Sequence, residues 1–594
     1  MDLRNFKIKR TKTVLLLVLS SLLFSCIKEK PTEKPNIIII LTDDQGFGDI
    51  SSHGNSLIET PQIDRIAREG TRLSQFYVSP VCAPTRASLL TGRYSLRTGT
   101  QWVTFGLENM NSEEITFAEV FKEQGYETGL FGKWHNGTHY PMDPKGQGFD
   151  TFFGFKQGHY NNYFDTQLEY NGVSIQTSGF ITDVLTDSAI AFIKKNADKP
   201  FLAFIPYNAP HSPFQVPDKY FNHFKNKGLS DKNAAVYGMV ENLDDNIGRI
   251  LDQLKSLQLE ENTIVIFMTD NGPNGHDRFN AHMKGYKAKV DEGGVRVPFF
   301  IRWPGKIPKN KLSKELTAHI DLLPTLIDLT GIKPKNLSKF DGISFADVLK
   351  GKKTNLDGRK FYTHHSKGAA LEMFPGAVRD GRYLAVKQNG DWELFDVQAD
   401  PFQEYNVSTY YPEMLHSLAS DYESWFNEVS NNLKGRKPIP VGFEEAPIVD
   451  LPAVESYFSN GIKFFGESGW SNDWLSNWKS EQDSIWWNLD VVQAIKVDVV
   501  VHYTLQSANK DVPLLAFSKS NTSIKASISP FKPSRIPSSD RIQRSEVYDQ
   551  TWNSQLLGEL DLEKGLQKIC LKRSESSSNS TVEIKSLELI FKEE

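Results

Sequence analysis

The segment Ile37-Ile38-Ile39-Ile40-Leu41, followed at once by Thr42-Asp43-Asp44-Gln45-Gly46, decides how the chain is read. An unbroken β-branched run between polar ends describes a strand buried on both faces, as in a parallel sheet. Three further runs share the pattern. Glu127-Thr128-Gly129-Leu130-Phe131 leads into Gly132-Lys133-Trp134-His135. Pro200-Phe201-Leu202-Ala203-Phe204-Ile205 leads into Pro206-Tyr207-Asn208-Ala209-Pro210-His211. Thr263-Ile264-Val265-Ile266-Phe267-Met268 leads into Thr269-Asp270-Asn271-Gly272. Helical patterns lie between them. One opens at Thr60-Pro61 with Thr60 as cap, one covers 116–124 with Thr116 as cap, and an amphipathic one covers 182–194. A long helix over 234–257 carries Val240, Leu243, Ile247, Ile250, Leu251 and Leu254 on one face. A strand over 298–303 and a helix over 320–330 continue the series. The alternation predicts an α/β fold with a large, mainly parallel sheet and helices on both faces.

The rhythm changes near residue 358. Short strands at 361–364, 383–387 and 392–396 and a helix over 412–429 predict a smaller antiparallel α+β subdomain. Pro438-Ile439-Pro440-Val441-Gly442 reads as a linker. The remainder, 445–594, has a strand at 494–503 and six of the eleven tryptophans, Trp470, Trp474, Trp478, Trp486, Trp487 and Trp552. It predicts a β-sandwich-like accessory domain, with the tryptophans either in its core or stacked on sugars.

At 594 residues the chain is long enough for two or three domains, and its composition is globular. A net charge of −5 argues against a nucleic-acid partner. Cys26, Cys82 and Cys570 are the only cysteines, so there is no disulfide framework and no CxxC metal site. Arg4, Lys7, Lys9, Arg10 and Lys12 precede an apolar run, 14–24, too short to span a bilayer. The run ends in Leu23-Phe24-Ser25-Cys26, which resembles a bacterial lipobox. The expectation is a signal peptide over 1–25, lipidation of Cys26, a tether over 26–35 and a catalytic domain over 36–357. Lys28-Glu29 is similar to surface-export signals of Bacteroidetes-type lipoproteins. The expected location is therefore the outer membrane, periplasmic or surface-facing.

The strand ends collect the chemistry. Ligands of such sheets bind beyond the carboxyl ends of the strands, and there lie Asp43, Asp44, Lys133, His135, His211, Asp270 and Asn271. The three carboxylates and the amide are hard oxygen donors, a Ca²⁺ or Mg²⁺ set and not a zinc set. Lys133 and Lys287 are placed to hold an oxyanion, and His135 and His211 to move protons. Val81-Cys82-Ala83-Pro84-Thr85-Arg86, running to Leu90-Thr91-Gly92-Arg93, reads as a loop entering a short helix, with Pro84 at its first position and Gly92 just past its end. Cys82 and Arg86 then share the positive end, a setting for a sulfate or phosphate group. The same pattern also describes a small buried cysteine beside a surface arginine. Taken together, these residues indicate metal-assisted hydrolysis or transfer of a sulfuryl or phosphoryl group.

Cys82-x-Pro84-x-Arg86 with Leu90-Thr91-Gly92-Arg93 resembles the signature of the formylglycine-dependent sulfatases, with Thr85 where serine is commoner. Gly132-Lys133-Trp134-His135, Asp270-Asn271-Gly272, Glu292-Gly293-Gly294-Val295-Arg296, Leu394-Phe395-Asp396, Asp400-Pro401 and Glu404 resemble further blocks of that family, over roughly 36–435. The resemblance implies an alkaline-phosphatase-like core and oxidation of Cys82 to formylglycine by a formylglycine-generating or sulfatase-maturing enzyme. One hydroxyl of the hydrated aldehyde attacks sulfur and the other later expels sulfate. Carried over by position, Asp43, Asp44, Asp270 and Asn271 hold Ca²⁺ with the modified Cys82. Arg86 and Lys133 stabilise that residue, and His135 is the base of sulfate release. His211 protonates the leaving alcohol, and Lys287 binds sulfate. A lipoprotein with a Trp-rich accessory domain suits polysaccharide foraging, and the expected substrates are sulfated algal glycans such as ulvan, carrageenan or fucoidan, with glycosaminoglycans or mucins second. Residues 158–164, Trp102, His139, His364 and His365 are expected to shape sugar specificity. The alternatives are phosphonate or phosphodiester hydrolysis on the same fold and a silent glycan-binding lipoprotein.

Overall fold

The computed structural model describes residues 34–592, apart from 353–355, 357, 367, 369, 434, 507–510, 519–522 and 574–579. The signal peptide, Cys26 and most of the tether lie outside the described residues.

The isoleucine run folds as the centre of a ten-stranded sheet. The elements that matter here are β1 (Asn36–Thr42), α1 (Pro61–Glu69), α2 (Cys82–Thr91), β2 (Glu127–Lys133), β3 (Phe201–Pro206), α3 (Asp231–Ser256), β4 (Thr263–Thr269) and β5 (Phe299–Arg302). β1 pairs in parallel with β3 on one side and with β4 on the other, and β3 pairs in parallel with β2. Outward from β2 come Thr151–Phe155 and the hairpin Gln167–Tyr170 with Val173–Gln176; outward from β4 come β5, Thr71–Leu73 and Lys311–Ser313. Two departures from simple alternation appear at the rim. β5 runs antiparallel to β4, because the chain returns through a loop and a four-residue helix, Glu292–Val295, and not through a long crossover. The hairpin turns on Asn171-Gly172, both with positive φ, as a two-residue reverse turn requires.

Side-chain alternation splits β1 between two cores. Ile37, Ile39 and Leu41 join Leu202, Phe204, Ile266 and Met268 beneath α2 and the helices Phe117–Glu123 and Leu322–Thr330. Ile38 and Ile40 join Ala203, Ile205, Val265 and Phe267 beneath α1, α3 and the helix Ile181–Lys195. All seven residues of β1 are buried, and its apolar run Ile37–Leu41 packs on both faces. Thr116 caps its helix as expected, through a reciprocal pair with Glu119. Thr60 does not cap α1. Its hydroxyl is bonded to Ser51, and the N–H groups of Gln62 and Ile63 donate instead to Asp244 of α3, at 2.8–3.1 Å.

Phe361–His364, Gly376–Arg379, Tyr383–Lys387 and Glu393–Asp396 form an antiparallel sheet covered by the helix Pro412–Ser430. Pro438-Ile439-Pro440-Val441-Gly442 is not a free linker: Ile439–Val441 is a strand, paired in parallel with Ser484–Val491. It opens a sandwich of two six-stranded sheets, whose core holds Trp478, Trp487, Tyr503 and Leu587. Trp474, Trp478 and Trp487 are fully buried, so these three are packing residues. From Asn36 onward the chain forms one compact unit.

Where the sandwich meets the α/β body, two buried carboxyls repel one another. Burial, then the charge of Glu455, pushes Glu108 up to about 8; burial, then Asp450, pushes Glu455 up to about 7. In the unfolded chain both ionise near the ordinary 4.5, so their contribution to stability is fully present below that value and is lost as pH rises towards 7–8. Glu108→Gln is expected to raise Tm at pH 8 by at least about 2 °C while changing it little at pH 5. An equal offset at both pH values would show that the pair does not titrate across the fold transition.

Candidate active site

β4, β1, β3 and β2 are neighbours in that order, and their carboxyl ends deliver the polar residues to one place. Thr42 is in register with Thr269, so the acidic pair after β1 meets Asp270-Asn271 after β4. Lys133 ends β2, and His211 follows β3 in a loop tied back by the Asp43 N–H, which donates to the Ala209 carbonyl at 3.1 Å. Asp44 has φ +63°. That turn is held by Arg278, whose guanidinium donates to the Asp44 carbonyl at 2.8 Å and to the Asp49 carboxylate at 2.9–3.0 Å.

α2 presents its N-terminus to the same place. The helix starts at Cys82, two residues earlier than Pro84 at its first position would require, and ends at Gly92 with φ +72°. All ten of its residues are buried, Arg86 among them, so the alternative of a surface arginine is excluded. The Arg86 guanidinium donates to the Lys133 carbonyl at 2.8 Å and to Asp270 Oδ2 at 2.9 Å. The Thr85 hydroxyl is turned away and donates to the Ser79 carbonyl.

The cluster is therefore three carboxylates facing three cations. Lys133 Nζ lies 2.6 Å from Asp43 Oδ2, Lys287 Nζ 2.7 Å from Asp44 Oδ1, and Arg86 bonds Asp270. Although burial opposes its ionisation, Asp43 is held well below the usual carboxylate range by Lys133, His211, Arg86 and Lys287. Burial and the neighbouring Asp43 push Asp270 up to about 7. The Cys82 thiol is pushed up by burial, which outweighs the pull of Lys133 and Lys287. It is a buried thiol and not an activated thiolate.

Two oxygens in the cluster lack a donor. Asp43 Oδ1 and Asn271 Oδ1 are buried and unpartnered, and the Asn271 amide N–H₂ is already committed to Asp44 Oδ1 and the Gly272 carbonyl. Ligand atoms of Asp43, Asp44 and His211, and of Asp43, Cys82 and Asp270, each lie within 4.8 Å of one another. Orphaned oxygens beside ionised carboxylates fit a hard cation, and the sulfur of Cys82 is the one soft donor in the set. With Asp270 raised and every carboxylate paired to a cation, the protein part carries no net negative charge, and a divalent cation would make it positive, suited to a sulfate ester and then to sulfate.

The two histidines are oriented differently. The Val103 carbonyl can only accept, so His135 Nε2, at 2.9 Å, donates to it, and the unpartnered Nδ1 keeps its lone pair. Burial, reinforced by Lys133, lowers His135 well below its ordinary value, which keeps it neutral and able to accept a proton. His211 Nδ1 donates to the Ser212 carbonyl at 2.7 Å, which leaves Nε2 facing Asp44 Oδ2 at 3.7 Å.

Of the expected specificity residues, the segment beginning at Gly158-His159 adjoins these groups. His139 donates to Asp450 of the sandwich, His364 pairs with Tyr422 under the small sheet, and Trp102 packs against His365 and Trp470. Arg278, Asp49, Ser212 and Glu546 carry no local sequence signal, because their contacts bridge hundreds of residues or involve ordinary polar side chains. The block beginning at Glu292 ties the subdomains together: its carboxylate takes Arg379 of the small sheet, Arg296 and Tyr77.

A Cβ on Gly158 would fall 2.1 Å from His135 Nε2. Gly158→Ala is expected to push that ring off Val103 and lower kcat by about 100-fold, as a misplacement near 1 Å can do, with Tm little changed. Unaltered turnover would mean that the ring has no fixed part in the reaction.

Residues 35–332 match the Sulfatase family, and residues 285–429 match the family described as N-sulphoglucosamine sulphohydrolase, C-terminal. The chain is similar to the N-acetylgalactosamine-6-sulfatase of Canis lupus familiaris, 31% identical over 63% of this chain and 76% of that protein. It is also similar to arylsulfatase J of Mus musculus, 34% identical over 65% and 75%. Among solved structures, Ps i-CgsB in complex with k-i-k-neocarrahexaose is 30% identical, covers 68% of this chain and 95% of its own, and superposes with a TM-score of 0.63. The PsFucS1 sulfatase of Pseudoalteromonas sp. is 25% identical over 69% and 93%, with a TM-score of 0.58. With the signature around Cys82, the strand-end cluster and these matches agreeing, the chain belongs to the sulfatase family and is a sulfuric ester hydrolase.

Proposed function

We propose that this enzyme removes sulfate from a sulfated polysaccharide or its oligosaccharides, using formylglycine made from Cys82 and a calcium ion. The observation that carries the reading is the cluster of three paired carboxylates and cations with two orphaned oxygens around a protonated, buried Cys82. Asp43, Asp44, Asp270 and Asn271 would hold the ion, with Mg²⁺ the lesser fit because the set offers many protein oxygens and Mg²⁺ usually keeps several waters. Formylglycine would supply an oxygen nucleophile and complete an all-oxygen donor set. Arg86 fixes Asp270 and the Lys133 carbonyl and so holds the base of the site rigid. Lys133 and Lys287 each retain donors beyond those given to carboxylates and offer them to sulfate oxygens. His135 Nδ1 accepts a proton during sulfate release, and His211 Nε2 gives one to the departing alcohol.

A carrageenan-type algal glycan is the favoured substrate, supported by the likeness to a protein crystallised with k-i-k-neocarrahexaose. A glycosaminoglycan is the second reading, supported by the likeness to N-acetylgalactosamine-6-sulfatases. We place the enzyme on the outer membrane through a lipid on Cys26, with a formylglycine-generating or sulfatase-maturing enzyme as its maturation partner.

Protein co-expressed with a maturase should give a Cys82 peptide whose mass shows sulfur replaced by aldehyde oxygen, and should hydrolyse 4-nitrophenyl sulfate. Cys82→Ala should fold with an unchanged Tm and lose that turnover by at least about 10³-fold. Wild-type activity on a peptide that keeps its sulfur would refute the mechanism.

A further inference from the structure

The link between the sandwich strands Ser523–Ile528 and Asn553–Leu562 leaves the sandwich and crosses to the catalytic body. It docks along the loop that carries His211. The Arg541 N–H donates to the Phe214 carbonyl at 3.0 Å, and Asp540 accepts from Gln215 at 2.7 Å. Arg544, almost wholly buried and paired with Asp540, donates to the Asn161 carbonyl at 2.8 Å. At the inner end of this contact the Glu546 carboxylate accepts from Ser212 Oγ at 2.6 Å. That hydroxyl lies 3.4 Å from His211 Nδ1, and the Ser212 carbonyl is the acceptor that orients the His211 ring. Glu546 is itself ionised in the fold. Burial raises it, but His159, His211 and the Ser212 hydroxyl outweigh burial and hold it at about 2.

A second observation concerns the same side of the site. His159 is buried, and neither ring nitrogen has a hydrogen-bond partner. Its ring lies 5.9 Å from that of His211, and its Nδ1 lies 4.0 Å from Glu546 Oε1. A polar ring withheld from water and left unpaired is costly. The side of the site on which His211 lies is thus walled by the sandwich link.

We propose that Glu546 of the C-terminal sandwich is a positioning residue for the reaction: through Ser212 it holds His211 with Nε2 aimed at the oxygen of the departing alcohol. The proposal rests on the reading of His211 as proton donor. In that step sulfur forms a bond to the deprotonated oxygen nucleophile that matured Cys82 would supply, the S–O bond to the leaving group breaks with its electron pair staying on that oxygen, and the proton on His211 Nε2 passes to it. The imidazole is then neutral, with Nδ1–H still given to the Ser212 carbonyl.

The test compares kcat/KM for 4-nitrophenyl sulfate, whose phenolate departs readily without a proton, with that for phenyl sulfate, whose more basic phenolate needs one. Matured wild type, His211→Ala, Glu546→Leu and Ser212→Ala are measured with both substrates. Glu546→Leu, which removes the acceptor, is expected to lower the phenyl sulfate value at least about tenfold more than the 4-nitrophenyl sulfate value, the size seen when an orienting partner is removed. His211→Ala should discriminate in the same direction and more strongly. Equal losses on both substrates in Glu546→Leu, with His211→Ala discriminating, would overturn the proposal and leave Glu546 as a brace between domains. A His211→Ala variant that does not discriminate would overturn the proton-donor reading and the proposal with it. If Glu546→Leu does not fold, Ser212→Ala carries the decision, since it deletes only the hydroxyl that Glu546 accepts from: the same discrimination supports the proposal and its absence overturns it.

Discussion

The structure depends on the pairing of three buried carboxylates with three buried cations at the ends of four adjacent strands. Charges taken out of water are tolerated only when each is paired and bonded, and removing one partner of such a pair typically costs about 3–5 kcal/mol. Arg86 meets Asp270, Lys133 meets Asp43 and Lys287 meets Asp44, so the protein part of the site closes on itself electrically. Its capacity for a ligand is what remains: the free oxygens of Asp43 and Asn271, the spare lysine donors, and the opening of a fully buried helix N-terminus.

The sheet makes this closure possible. Parallel pairing of β1 with β4 in strict register brings two acidic turns together that lie 226 residues apart in sequence. The two hydrophobic cores clamp the strands from both faces, so the strand ends cannot drift. The Asp44 turn, with its positive φ, is held by a buried Arg278–Asp49 pair that takes no part in the cluster. The scaffold thus meets the local strain through neighbours one layer out, as sites with fixed geometry commonly do.

Much of this was legible in the sequence because the signals are local. Uninterrupted β-branched runs announce buried strands, and the polar residues that stop them lie where a parallel sheet collects its ligands. The parts that were not legible have no local signature. The direction of β5 depends on the path of the preceding loop. The short strands at the sheet edge carry mixed residues and lean on neighbours for their shape. Thr60 has the residue type of a cap, yet Asp244 on another helix does the capping. A pair of prolines around Ile439 imitates a linker but begins a sandwich strand. Glu546 and Ser212, 334 residues apart, meet only because one sandwich link crosses to the catalytic body.

The central claim is that the cluster around Cys82 is a cation site whose own carboxylates are each paired with a cationic side chain before the ion arrives. The most direct measurement is a calorimetric titration of Ca²⁺ into chelator-treated, matured protein, compared with Asn271→Ala and Asp44→Asn. The account predicts one ion bound per chain in the wild type, with affinity reduced by at least about tenfold in each variant, as loss of one oxygen ligand should do. Wild-type protein that binds no ion, or variants that bind with undiminished affinity, would contradict it.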